Sequence, residues 1–139
     1  MTPFAHRLQV RWNECDPQGI VFNANYVTYV DLTLTELWRE LFGGYREFVE
    51  QTGVDLVVAD LSLRFRGSAR FDEQITIALT PALTSASSIT SGLTIERDGT
   101  LLIEGSIRHV CVDATSLDKG PAPPELRDAL RRTGFPSEV

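Results

Sequence analysis

Glu14 to Tyr26 reads E-C-D-P-Q-G-I-V-F-N-A-N-Y, a turn-forming segment that runs straight into a long helical pattern. Asp before Pro with Gly close behind is turn chemistry: Pro presets φ, Asp bonds to its own backbone, and Gly tolerates positive φ. Beyond the turn, Tyr26, Val30, Leu34, Leu37, Trp38 and Leu41 recur at spacings of four, three and one, which places them on one face of a helix. That helix begins near Asn25, with Asn23 or Asn25 able to cap it, and ends near Gly43-Gly44. A helix start leaves backbone N–H groups without partners and carries partial positive charge, so it suits an anion or a polarised carbonyl oxygen. The segment therefore delivers an acid, Asp16, to a place rich in oxyanion donors.

Upstream of the turn, a short alternating run around Leu8 to Trp12 predicts a strand. Downstream, Leu61, Leu63 and Phe65 alternate with Ser62, Arg64 and Arg66, and Ile75, Ile77 and Leu79 repeat the pattern of a half-buried strand. Ile89, Leu93 and Ile95 form another run. Asp98-Gly99 then supplies residues tolerant of positive φ for a tight hairpin, and Leu101, Ile103 and Ile107 to Val112 make the return. Gly120-Pro121, Pro123 and Pro124 break the pattern, and a short helix at Pro124 to Arg132 is expected in an otherwise peripheral tail, about 114–139. One helix with several hairpin-connected strands predicts an α+β domain, an antiparallel sheet with one face covered by the helix. No repeat or composition shift divides residues 1–139, so a single domain is expected.

Composition narrows the function classes. With 42% hydrophobic residues the chain builds a core, but no window approaches the roughly 20 apolar residues that span a bilayer, and the N-terminus has no apolar run of signal-peptide length. A cytoplasmic protein without membrane association is the expectation. A net charge of −6 argues against nonspecific nucleic-acid binding, which depends on phosphate neutralisation. Arg64, Arg66 and Arg70 form a local basic patch, which reads first as a solvated strand end. The two cysteines, Cys15 and Cys111, and the two histidines, His6 and His109, form neither a disulfide framework nor a metal-ligand cluster. His109 and Cys111 share a strand face by period 2, for which ordinary packing is the favoured reading over a catalytic pair.

C-D-P-Q-G-I-V-F at Cys15 to Phe22, followed by A-N-Y at Ala24 to Tyr26, resembles the hot-dog-fold acyl-CoA thioesterases of the 4-hydroxybenzoyl-CoA thioesterase type. R-G-S-A-R-F-D at Arg66 to Asp72 and V-C-V-D at Val110 to Asp113 are similar to later segments of that family. The resemblance implies a hot-dog fold, a curved antiparallel sheet around one long central helix. It also implies a homodimer or tetramer with active sites at the subunit interface, and hydrolysis of an acyl-CoA thioester to free acid and CoA. No cofactor or metal is implied, coenzyme A being part of the substrate.

Carried over residue by residue, the resemblance makes Asp16 the catalytic carboxylate, as general base or nucleophile, and the backbone N–H of Asn23 the oxyanion donor. A purely structural turn role for Asp16 competes with this. Relatives often carry His or an aromatic residue where this chain has Asn23, which leaves the side-chain role open. Gly19, Ile20, Phe22, Asn25 and Tyr26 become substrate-contact candidates, while turn formation, core packing and capping are alternatives for them; Val21 reads as core. Tyr29, Thr33 and Trp38 on the helix are expected to set pocket depth. Arg64, Arg66 and Lys119 are candidates for the CoA phosphates. Two other functions fit the same fold: hydrolysis of an acyl carrier protein thioester, and noncatalytic acyl-CoA binding.

Overall fold

A computed structural model describes residues 3–135; the remaining residues of the expected domain, 1–2 and 136–139, lie outside the described residues. Strand β1 (Phe4–Gln9) leads through a 3-10 turn (Trp12–Glu14) and the Asp16 loop into α1 (Asn25–Phe42). Then come α2 (Tyr45–Thr52), β2 (Val54–Phe65), β3 (Gln74–Leu83), β4 (Ser88–Arg97), β5 (Thr100–Asp113) and α3 (Pro124–Arg132). The strands form one five-stranded sheet in the order β1-β3-β4-β5-β2, with every neighbouring pair antiparallel. This is the α+β, hot-dog arrangement expected: a curved sheet packed around one long helix.

Alternation builds the core. In β3, Ile75, Ile77, Leu79 and Leu83 are buried while Thr76, Ala78, Thr80 and Ala82 are only partly covered, so one face of the strand meets α1. From α1 itself Tyr26, Tyr29, Val30, Leu34, Leu37, Trp38 and Leu41 enter the same cluster, the stripe that the spacing predicts. The Asp98-Gly99 hairpin also forms, with φ of 50° and 79° at the two turn residues.

Several expectations change. Strand β1 ends at Gln9, and Trp12 lies in the 3-10 turn with its ring exposed. The N-cap of α1 is Ala24, and neither Asn23 nor Asn25 makes a side-chain cap. The helix instead opens on tight bonds from the amides of Asn25, Tyr26 and Val27 to the carbonyls of Phe22, Asn23 and Ala24. Helix α2 was not foreseen. Strand β2 starts at Val54 rather than near Leu61, because a bulge between Val58 and Asp60 shifts its register and breaks the alternation. The tail is less peripheral than its composition suggests: Leu126, Ala129 and Leu130 of α3 and the following Phe135 are buried in the main core. Fully burying each leucine contributes roughly 1.5–3 kcal/mol. The Arg132 guanidinium also donates to the Leu41 carbonyl at 3.1 Å, tying α3 to the C-terminal turn of α1.

Strands β2 and β5 leave no room for a side chain at Gly105, where a Cβ would stand 1.9 Å from the Ser62 carbonyl oxygen. Gly105→Ala is therefore expected to lower stability by about 1–3 kcal/mol as the strands are forced apart. Urea denaturation measures this; an unchanged midpoint would contradict the close approach.

Candidate active site

The Asp16 loop is a closed piece of backbone. The Asp16 amide donates to the Ile20 carbonyl and the Gly19 amide to the Asp16 carbonyl, both at 2.9 Å, while Cys15 and Val21 form a β-bridge. Gly19 has φ of 80°, and a Cβ built there meets nothing within 4 Å. Its necessity is thus conformational, for the turn, and not steric relief inside the protein. Asp16 is partly buried, and its Oδ1 accepts from the Gln18 amide at 2.8 Å, so its own loop orients the carboxylate.

Behind the loop stands Glu14, which the sequence reading passed over. Its Oε1 accepts from the Arg11 amide at 2.8 Å and from the Tyr29 hydroxyl at 2.9 Å, while Oε2 accepts from the Arg11 guanidinium at 2.6 and 2.9 Å. The Glu14 carbonyl receives the Asn25 side-chain amide at 2.8 Å and the Phe22 amide at 3.0 Å. One residue thus joins the end of β1, both ends of the loop and the first turns of α1. Burial alone would raise the Glu14 pKa, but the Arg11 side chain and amide and the Tyr29 hydroxyl outweigh it and hold the carboxyl below its ordinary value. The Tyr29 phenol is pushed the other way, by burial and by its bond to Glu14.

At the start of α1 the tight bonds use the amides of Asn25 to Val27. Among the described residues no acceptor meets the amides of Asn23 and Ala24, which are exposed just ahead of the helix. These are the donors left for an oxyanion, and one of them is the amide singled out in the sequence.

The other candidates divide. Ile20 pairs with Arg70 across an isolated bridge and is partly covered, and Phe22 is 51% exposed beside the loop. Asn25 holds the Glu14 carbonyl, and the buried Tyr26 accepts from the Ala69 amide at 3.0 Å, so both anchor the scaffold around the loop. Val21 is core. Arg66 is engaged by Glu104 at 2.6 Å. Lys119 bridges Val112 near the end of the β2–β5 ladder where Val54 pairs with Asp113, whereas Arg64 and Arg66 lie at the opposite end. Ten residues of strand, roughly 33 Å, separate the two ends, so a single chain does not gather the three cations.

Along α1 toward β2 runs a groove that the sequence did not reveal. A cavity of about 410 Å³ between Val27, Thr28, Val30, Leu61 and Ile107 meets a second of about 320 Å³ lined by Trp38, Tyr45, Asp55 and His109, and the two share Asp31, Leu34 and Val58. Of the helix residues expected to set pocket depth, Trp38 lines this groove, whereas Tyr29 and Thr33 are turned into the core. Burial lowers the His109 pKa and the Asp31 charge opposes that shift. Cys111 is fully buried, its thiol pushed up to about 11 by desolvation, as packing rather than nucleophilic use requires.

Because the folded pKa of Glu14 lies below its unfolded value, its carboxylate contributes stability above the unfolded pKa and loses it as pH falls through the folded one. Glu14→Gln is accordingly expected to melt below the wild type at neutral pH, with the gap closing on acidification. Melting temperatures across that range test it, and a gap independent of pH would refute the ionised network.

Comparison with known proteins bears on the family and the fold. Residues 10–130 match the family model of the thioesterase-like superfamily. Acyl-CoA thioesterase YbgC of Haemophilus influenzae is 21% identical over 127 residues, covering 91% of this chain and 93% of that protein. A thioesterase superfamily structure from Jannaschia sp. CCS1 superposes with a TM-score of 0.86 at 23% identity, covering 94% of this chain and 92% of that one. A 1,4-dihydroxy-2-naphthoyl-CoA thioesterase from Synechocystis gives a TM-score of 0.82 at 20% identity, covering 93% and 96% respectively. With the model match running from the last residues before the Asp16 loop to the core leucines of α3, the chain belongs to the thioesterase-like superfamily.

Proposed function

We propose that this protein hydrolyses an acyl-CoA thioester, with Asp16 as the reacting carboxylate and the amides of Asn23 and Ala24 as oxyanion donors. The observation that carries the reading is a loop-oriented acid and two amides that meet no acceptor among the described residues, on one short segment tied together by Glu14. The thioester carbonyl sits against those amides, and the Asp16 oxygen not bonded to Gln18 draws a proton from water or attacks the carbonyl carbon itself. As charge moves onto the carbonyl oxygen, each prepositioned donor contributes about 3 to 4 kcal/mol to the transition state. In the first route the hydroxide so formed adds to the carbonyl carbon, and the CoA thiolate leaves with the proton that Asp16 took up. In the second the thiolate leaves an Asp16 mixed anhydride, which water cleaves to free acid and the regenerated carboxylate, its proton passing to the thiolate.

A second copy belongs to this reading. Strand β2 is an edge of the sheet, with Val57 and Val58 exposed beside the groove along α1. Antiparallel pairing of two β2 edges covers this apolar surface and brings the Arg64–Arg66 end of one copy toward the Lys119 end of the other. The three cations candidate for CoA phosphates are thereby drawn closer, and the acyl group lies in the groove between the copies.

Asp16→Asn preserves the bond to Gln18 through its amide oxygen and removes the base. It is expected to lower kcat on acyl-CoA by a factor of about 10² to 10⁴ while leaving the melting temperature close to wild type. A folded variant that retains full hydrolysis would overturn the carboxylate mechanism. Hydrolysis of acyl carrier protein thioesters but not of acyl-CoA would reassign the donor, and binding of acyl-CoA without turnover by the wild type would leave a binding module.

A further inference from the structure

Outside the catalytic segment, the surface carries a small aromatic ledge. Trp12 is 61% and Phe71 47% exposed, and their rings meet edge to face at 5.2 Å. Such rings are normally buried, where each removes roughly 150–250 Å² from water. The ledge is fastened to the Asp16 loop: the Phe71 amide donates to the Gly19 carbonyl at 3.0 Å, and the Ile20–Arg70 bridge lies beside it.

The charge beside the ledge is equally specific. Arg11 is paired with Glu14 and Arg97 with Glu73, so these cations are neutralised locally. Arg70, adjacent to Phe71, is exposed, and among the described residues its guanidinium has no acidic partner. On a protein of net charge −6, an uncompensated guanidinium next to two open rings is a selective feature. An aromatic face accepts a purine by stacking, and a guanidinium accepts a phosphate in bidentate fashion.

We propose that Trp12, Phe71 and Arg70 hold the adenine nucleotide end of the thioester donor, the base on the rings and a phosphate on Arg70. This inference rests on the thioesterase reading above and extends it, because an acyl carrier protein presents the same pantetheine arm without an adenine. A chain that holds the nucleotide here is built for CoA. A second copy of the chain is the competing occupant, but two rings cover roughly 300–500 Å², short of the roughly 800 Å² per partner of a stable interface, and a lone cation suits a phosphate better than an identical acidic surface.

Steady-state kinetics on one acyl group carried by CoA and by pantetheine alone test the assignment. Trp12→Ala and Arg70→Ala are each expected to raise KM for the CoA ester about tenfold while leaving kinetics on the pantetheine ester at wild-type values. Equal effects on both esters, or none on either, would overturn the ledge while the hydrolase stands. Adenosine 3′,5′-bisphosphate supplies a readout independent of turnover: it is expected to quench Trp12 emission in the wild type and to bind about tenfold more weakly to Arg70→Ala, with the buried Trp38 as constant background. Quenching by the bisphosphate in a protein that turns over no thioester would support the ledge and reject the hydrolase. Absence of quenching, or Trp12 shielded from acrylamide in the assembled protein, would give the surface to a second copy and sink the proposal.

Discussion

The carboxylate and carbonyl of Glu14 fix the geometry on which the candidate chemistry depends. An eleven-residue excursion separates Glu14 from Asn25, yet the two are hydrogen-bonded, and the Tyr29 hydroxyl closes the arrangement from the next turn of the helix. A loop tied at both ends in this way loses little further entropy on binding, which is the property that the proposed pairing of an acid with oxyanion donors requires. The partner of the network is the Arg11 guanidinium, which lies on the solvent side, so the cation is spared desolvation while the acid is covered. The expensive half of a buried ion pair is thereby avoided.

The sheet supplies the second constraint. Segment 69–71 is the outer wall of the Asp16 loop, with the Ala69 carbonyl receiving the Val21 amide and the Ala69 amide donating to Tyr26. The connection between β2 and β3 thus does more than join strands: it braces the turn from the side opposite Glu14. On the other flank, the groove along α1 ends in an aromatic group of Trp38, Phe42, Tyr45 and Phe48, where the Tyr45 hydroxyl donates to Asp55 and accepts from the Leu56 amide at 2.8 Å. Helix α2, bounded by glycines, is what brings Tyr45 and Phe48 to that position.

Much of this was legible in the sequence where one residue's environment follows from its own neighbours. The α1 stripe, the alternation in β3, the Asp98-Gly99 turn and the Pro124–Arg132 helix are local patterns, and each formed. What escaped depends on partners distant along the chain. Nothing in the order of residues says that Glu14 meets Tyr29, or that Leu126 and Leu130 join the core that α1 shares with β3. The eight residues of α2 are too short for a helical period to stand out. The cap was misread for a different reason: Asn is a good cap, but the carbonyls of Phe22 to Ala24 satisfied the first helical amides instead. Asp16 and the Asn23 amide, the acid and donor proposed here, could be picked out because the motif is contiguous, whereas Arg64, Arg66 and Lys119 were grouped by charge alone and lie at two ends of a strand.

Strand order has a consequence for biosynthesis. Among the described residues β2 pairs with β5 alone, which leaves the ribosome last among the strands, whereas β3, β4 and β5 zip up hairpin by hairpin. During translation the twelve residues of β2 therefore wait, with their ladder bonds unmade and Leu56, Leu61 and Leu63 uncovered, until β5 is made. Such a nascent chain is prone to misassociation, and chaperone demand should track the delay between synthesis of β2 and arrival of β5 rather than the stability of the finished molecule.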